Sequence, residues 1–211
     1  MRIAKLYGVG EDCNTYVIGE EKQPCVIVDP GDNDKGSLDR YIEKHHGYCL
    51  GYLITHGHCD HIAGLKTLTH QATVFMMAED VPCLRDPDLN VSRSLFGKDG
   101  LTIDNIEPYE LDDEDEIKLG SWIFKVIATP FHTRGSCCFY VEDEGVLFSG
   151  DTLFHLGIGR SDLPGSCPRE TGMSLRKLGA LPLSTKVYPG HGEMTSIKTE
   201  LAFNEELRQI I

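Results

Sequence analysis

Long hydrophobic runs are missing from this sequence. No stretch of about eighteen apolar residues occurs, and the opening MRIAKLYGVGEDCN holds no apolar segment of signal-peptide length. Neither a membrane span nor a secretory leader is expected, so the reading is a soluble, cytoplasmic protein. Basic residues are also scarce: 20 Lys and Arg stand against 33 Asp and Glu, a formal net charge of −13, with no basic run to offset it. Such a surface repels a phosphate backbone, which sets nucleic acid aside as a partner. C-x-x-C pairs, internal repeats and low-complexity tracts are absent too. Without an export signal the eight cysteines read as reduced, buried small hydrophobes rather than as a disulfide framework.

What is present suits one globular unit. A chain of 211 residues with 40% hydrophobic content is expected to form a single domain over 1–211. Alternating apolar residues in RIAKLYGV, CNTYVIG and CVIVDPG predict three short strands in an antiparallel meander. SLDRYIEKHH, Ser37 to His46, places Leu38, Tyr41 and Ile42 on one helical face, and LGYLITH returns to a buried strand. A helix is expected from His61 to His70, followed by a less regular stretch from Glu79 to Asn105. Strand patterns resume in PYELDD, IKLG, WIFKVIAT, SCCFYVE and GVLFSGD. RETGMSLRKLGAL reads as a helix, TKVYPGHG as a strand entering a loop, and IKTELAFNEELRQII as one C-terminal helix. Strands, helix and strands again, with no linker, favour a two-sheet sandwich with helices outside.

THGHCDHIAG, Thr55 to Gly64, concentrates metal-binding side chains. Gly57 frees the backbone between His56 and His58, so that both imidazoles can reach one ion. Asp60 and His61 follow where a helix begins and suit a second ion. A zinc site needs three or four protein ligands, so distant partners are required. His132 in ATPFHTRGS, Asp151 in LFSGDTLF and His191 in VYPGHGE each follow an apolar strand, where a rigid element delivers a side chain to a shared edge. The sorting is His56, His58 and His132 for one metal, Asp60, His61 and His191 for a second, and Asp151 bridging both. His45, His46, His70 and His155 read as surface or core residues.

These motifs resemble the metallo-β-lactamase superfamily, and more closely its glyoxalase II-like hydrolases, through DPG at Asp29 to Gly31, THGHCDHIAG, TPFHTRGS, FSGDTLFHLGIGRSDLPGS and YPGHGE. The resemblance implies an α/β fold, a four-layer αββα sandwich, with a dinuclear site along one edge of its sheets. It implies that Asp29 supports the site without binding metal, and that Arg160 takes the place of a cation that contacts glutathione. The expected tyrosine two positions on is Asp162, which can pair with Arg160 instead. Phe131 replaces a usual glycine and is expected to crowd His132 and narrow the pocket. The helical extension of full-length glyoxalase II has no counterpart in the twenty residues after His191.

Two divalent ions, zinc first and iron or manganese fitting the same donors, lower the pKa of a shared water from about 16 toward 7. The expected nucleophile is therefore hydroxide, the expected substrate a small-molecule thioester such as an S-acyl glutathione, and Asp60 a candidate proton acceptor beside Asp151. Two alternatives share the motifs: a persulfide dioxygenase holding one iron through His56, His132 and Asp151, and a lactonase. An electron-transfer module is disfavoured, since flavodiiron proteins carry glutamate at the His58 position. Cys59, left over by the sorting, is expected to point away from the metals.

Overall fold

Side-chain alternation along short strands builds two sheets in the computed structural model, which describes residues 1–7, 13–31, 34–97 and 99–211. The first sheet lays six strands side by side in chain order: β1 (Ile3–Tyr7), β2 (Asn14–Ile18), β3 (Cys25–Val28), β4 (Cys49–Leu53), β5 (Thr73–Met77) and β6 (Tyr109–Leu111). The second contains β7 (Glu116–Leu119), β8 (Trp122–Ala128), β9 (Cys137–Val141), β10 (Val146–Gly150), β13 (Lys186–Pro189) and β14 (Thr195–Ser196), in the order β14-β13-β10-β9-β8-β7. The first three strands form the expected antiparallel meander, although Gly8 and Val9 of the first predicted strand lie outside the described residues. From β3 to β6 the pairing is parallel, as it is between β10 and β13.

Period two decides which core each side chain joins. Val26 and Val28 face the second sheet, in one apolar cluster with Leu53, Phe124, Phe139 and Phe148. Cys25 and Ile27 turn outward against Leu38 and Ile42 of α1 (Ser37–His45). The outer face of the second sheet is covered through Leu178 of α4 (Thr171–Gly179) and Ile197 of α5 (Ile197–Phe203). Helix, sheet, sheet and helix make the four layers of the expected αββα sandwich. No helix among the described residues is long and apolar enough to cross a membrane.

Two local expectations need correction. The helix predicted from His61 to His70 begins earlier, as α2 (Cys59–Ile62), and continues only as a 3-10 turn over Ala63–Lys66. There the Gly64 N–H donates to the carbonyl of Pro30, 2.8 Å away in the loop after β3. The C-terminal helix is two helices, because Asn204 takes an extended backbone and its side chain accepts from Leu207 N, capping α6 (Glu205–Ile210). The stretch from Glu79 to Asn105 carries the end of a 3-10 segment, Ala78–Leu84, and the short α3 (Ser92–Phe96). A further hairpin, β11 (Leu153–Phe154) with β12 (Gly157–Ile158), lies between β10 and α4.

One edge of the sandwich gathers the chemistry. Asp29 follows β3, the HGHCDH segment follows β4, Asp80 follows β5, His132 follows β8, Asp151 follows β10 and His191 follows β13. All six segments leave the carboxyl ends of strands, where a rigid ladder ends and the loops converge.

Candidate metal centre

The HGHCDH segment is held at its start, on either side of His56. Asp29, buried and in a left-handed conformation (φ 50°), accepts from Thr55 N at 2.8 Å and from Thr55 Oγ1 at 2.7 Å. Two positions on, the Gly57 N–H donates to Asp80 at 2.8 Å, and a Cβ on Gly57 would overlap Cys83. Glycine is needed here for close approach.

Two triads result. The ligand atoms of His56, His58 and His132 lie within 4.8 Å of one another, and so do those of Asp60, His61 and His191. Asp151 stands between them: its Oδ1 is 3.4 Å from His61 Nε2, and its Oδ2 is 3.4 Å from His132 Nε2 and 3.6 Å from His191 Nε2. The seven residues sorted by sequence into two sites are thus brought to one place.

Whether they fit metals is answered by their unpaired atoms. His56 Nε2, His58 Nε2, His132 Nε2 and Asp151 Oδ1 are buried, and none has a hydrogen-bond partner among the described residues. An unpaired buried polar atom costs about 1–3 kcal/mol, and three unpaired imidazole nitrogens within 4.8 Å of one another, with Asp151 beside them, fit a shared ion. The far sides of the rings agree. His132 Nδ1 donates to the carbonyl of Arg160 at 2.7 Å, and His61 Nδ1 donates to Asp29 Oδ2 at 2.9 Å. Both partners only accept, so Nδ1 carries a proton and Nε2 is the nitrogen turned toward a cation.

Electrostatics separate the triads. Burial, reinforced by neighbouring imidazoles, pushes His56 well below the usual range, and burial and His132 bring His58 down to about 3. In the second triad burial opposes charge on His61, but Cys13, Asp60, Asp151 and Asp29 around it raise its pKa well above 6.5. His191 is likewise raised against burial by its hydrogen bond to Asp60 and by Asp151. Burial would raise Asp60 and Asp151, and the surrounding imidazoles, His61 foremost, hold both below the usual carboxylate range.

Two supports escaped the sequence reading. Asp80 is buried, and besides Gly57 N it accepts from Thr133 Oγ1 at 2.6 Å and Gly135 N at 2.8 Å. One carboxylate therefore ties the loop of His56 and His58 to the loop of His132. Its signal was available, since Asp80 follows the apolar strand TVFMM just as Asp29 and Asp151 follow theirs. The second support reaches His191 from the first sheet. Asn14 Nδ2 donates to the carbonyls of Pro189 (2.8 Å) and Gly192 (3.1 Å), Tyr16 OH donates to Pro189 O (2.7 Å), and Lys5 Nζ donates to Gly192 O (2.5 Å). No short motif marks those three residues.

Other candidates fall differently. Arg160 lines the cavity above the triads, but its guanidinium makes two bonds to Asp162, at 2.6 and 2.8 Å. Phe131 does not narrow the pocket: it is fully buried against Leu175 and Leu207, turned away under the C-terminal helices. Cys59 is in neither triad, and burial raises its thiol to about 11. The triads lie at the floor of an open cavity of about 1540 Å³.

Known proteins with this arrangement are numerous. A model of the metallo-beta-lactamase superfamily matches residues 8–191. An uncharacterised protein of Mycobacterium tuberculosis is 37% identical over 209 residues, covering 91% of each chain. A hydroxyacylglutathione hydrolase of Pseudomonas fluorescens is 34% identical over 172 residues, which span 80% of this chain and 56% of that enzyme. Among solved structures, the BLEG-1 B3 metallo-beta-lactamase matches with a TM-score of 0.90 at 32% identity, over 98% of this chain and 99% of that one. TTHA1623 in a di-iron-bound form matches at 0.78 and 29% identity, over 98% and 100%. ETHE1 from Myxococcus xanthus matches at 0.74 and 27% identity, over 99% and 85%. Fold, donor set and these likenesses lead to one conclusion: the chain belongs to the metallo-beta-lactamase superfamily.

Proposed function

We propose that this protein is a metal-dependent hydrolase of the glyoxalase II-like type, cleaving a thioester to a thiol and a carboxylic acid, with S-acyl glutathione the first substrate to try. The observation that carries the reading is the set of four unpaired buried atoms, three imidazole nitrogens and Asp151 Oδ1, under an open cavity. A filled, purely structural metal site needs no such access. The likeness to a hydroxyacylglutathione hydrolase supports the thioester. Members of the superfamily bind a dinuclear metal site, and the donor clusters here are of that kind.

His56, His58 and His132 would hold one ion, Asp60, His61 and His191 a second, and Asp151 would contact both. Bound divalent ions supply Lewis acidity and acidify water. Water adds its oxygen to the thioester carbonyl, the carbon–sulfur bond breaks, and the proton released from water ends on the departing thiol. Asp60, which lines the cavity, is the candidate to take that proton on its way. Asp29 and Asp80 keep the imidazoles oriented and do not touch substrate.

Turnover of S-lactoylglutathione by metal-loaded protein, abolished by a chelator and restored by zinc, iron or manganese, is the expected result. A loaded protein that cleaves no thioester, lactone or β-lactam sinks the proposal. One iron per chain with oxygen uptake on glutathione persulfide would instead favour a persulfide dioxygenase using His56, His132 and Asp151.

A further inference from the structure

The cavity is walled by apolar side chains on segments that adjoin or are tied to those of the proposed metal ligands. Cys59 N donates to the carbonyl of Asn90 at 3.0 Å, which ties the segment of Val91 and Leu95 to the HGHCDH loop. Asn90 is fully buried, and its amide donates to Cys83 O (2.7 Å) and Leu101 O (3.0 Å), so that segment is fixed. Val91 follows in a left-handed conformation, φ 57°, which a β-branched residue tolerates poorly. It opens α3, whose Leu95 lines the cavity while 63% exposed. Across the floor, the Phe154 ring meets His191 edge-on at 6.1 Å, and Leu163 N donates to Ser166 Oγ, which in turn donates to His132 O.

The charges offer a polar ligand little. Among the described residues, and beyond the metal-binding ones, the lining's charges are Lys5 and Arg160 against Asp34 and Glu193, with no surplus of cations. Lys5 donates to Gly192 O, and Arg160 is met by Asp162. A thiol such as glutathione, which carries two carboxylates, finds no surplus of cations.

We infer that Val91, Leu95, Phe154 and Leu163 form a subsite for an apolar chain, so that the preferred substrate is a thioester bearing several methylenes on its acyl or its thiol half. The inference rests on the hydrolase reading and specifies its substrate class. Exposed apolar side chains beside convergent polar groups are how such chains are held.

Two substrate series test it on metal-loaded protein. One varies the acyl group of N-acetylcysteamine thioesters from acetyl to octanoyl; the other varies the S-alkyl group of thioacetates over the same lengths. A fully buried methylene contributes about fourfold, and a half-open wall should give about twofold per methylene in kcat/KM in one series. That series identifies the half bound. Leu95→Ser and Leu163→Ser should each flatten its slope. Flat series in both, slopes that survive both variants, or S-lactoylglutathione preferred over every long-chain thioester overturns the subsite and leaves the hydrolase intact. If no thioester turns over, the hydrolase reading fails, and calorimetry with acetate, butyrate, hexanoate and octanoate reads the wall alone. Affinity that ignores chain length, or rises as steeply in Leu95→Ser, then overturns it.

Discussion

The two triads share one loop and one edge of the sandwich, yet they would make different kinds of metal site. His56, His58 and His132 are three buried imidazoles, with His58 brought down to about 3 and His56 pushed well below its usual range. Asp60, His61 and His191 combine a carboxylate with two imidazoles raised above their usual range, and the His191 side chain is 34% exposed. A first ion thus meets, at His56 and His58, nitrogen lone pairs already free of protons. A second ion must displace protons and sits closer to water. Asymmetry of this sort sets an order of filling without any difference in the ions themselves.

Removing what the triads share should have the largest effect. Asp151→Ala takes an oxygen from both, and we expect thioester turnover to fall by about 10³-fold or more, with both metals weakened, as read by kinetics and elemental analysis. Retention of two tightly held metals would show that Asp151 does not bridge. Next come substitutions on one side only. His58→Ala should leave about one metal per chain, held by the second triad, and His191→Ala about one, held by the first. Loss of both metals from either variant would mean the triads are not separable.

Supports should matter less than ligands. Asp80→Asn loosens the tie between the His56/His58 loop and the His132 loop, while Asp29→Asn frees His61 Nδ1 and loosens Thr55 beside His56. Each should weaken metal binding by about 10–100-fold, measured by competition with a chelator, with Asp80→Asn acting on the first triad and leaving the second little changed. The acid response sharpens the same contrast. His61 and His191 have raised pKa values in the metal-free protein, so lowering the pH favours their protonated, non-binding form. From pH 8 to pH 6 the second metal should weaken and the first hold, since His58 takes up a proton only near 3. Proton release on binding, read by calorimetry in buffers of different ionisation enthalpy, should accompany the second ion alone. The smallest effect is expected for Cys59→Ala, which should keep both metals; loss of either would put its sulfur in the site.

How much of this was readable beforehand depended on what each residue answers to. The seven donors were legible because their chemistry is dense in sequence, in HGHCDH, or repeats a rule, a polar residue directly after an apolar strand. Short apolar runs such as CVIV, set off by turn residues, likewise foretold the antiparallel meander. Long-range competition was invisible. Pro30 takes a hydrogen bond from Gly64 and the predicted helix ends early, while Asn204 caps a new helix inside an unbroken amphipathic pattern. Phe131 misled because a bulky residue beside a ligand reads as pocket lining, whereas its direction is set by Leu175 and Leu207, remote in sequence. Lys5, Asn14 and Tyr16 carried no signal, since their partners are backbone carbonyls more than 170 residues away.

Each triad draws on both sheets. His56, His58, Asp60 and His61 leave the first sheet, and His132, Asp151 and His191 leave the second. Any ion in either triad is therefore a rivet through the two halves of the sandwich. Occupancy becomes a mechanical property: at a free metal concentration 1,000 times its Kd, a single rivet adds about 4 kcal/mol against unfolding. A cell short of metal would hold a protein that is idle and also easier to pull apart, and its degradation would follow metal supply.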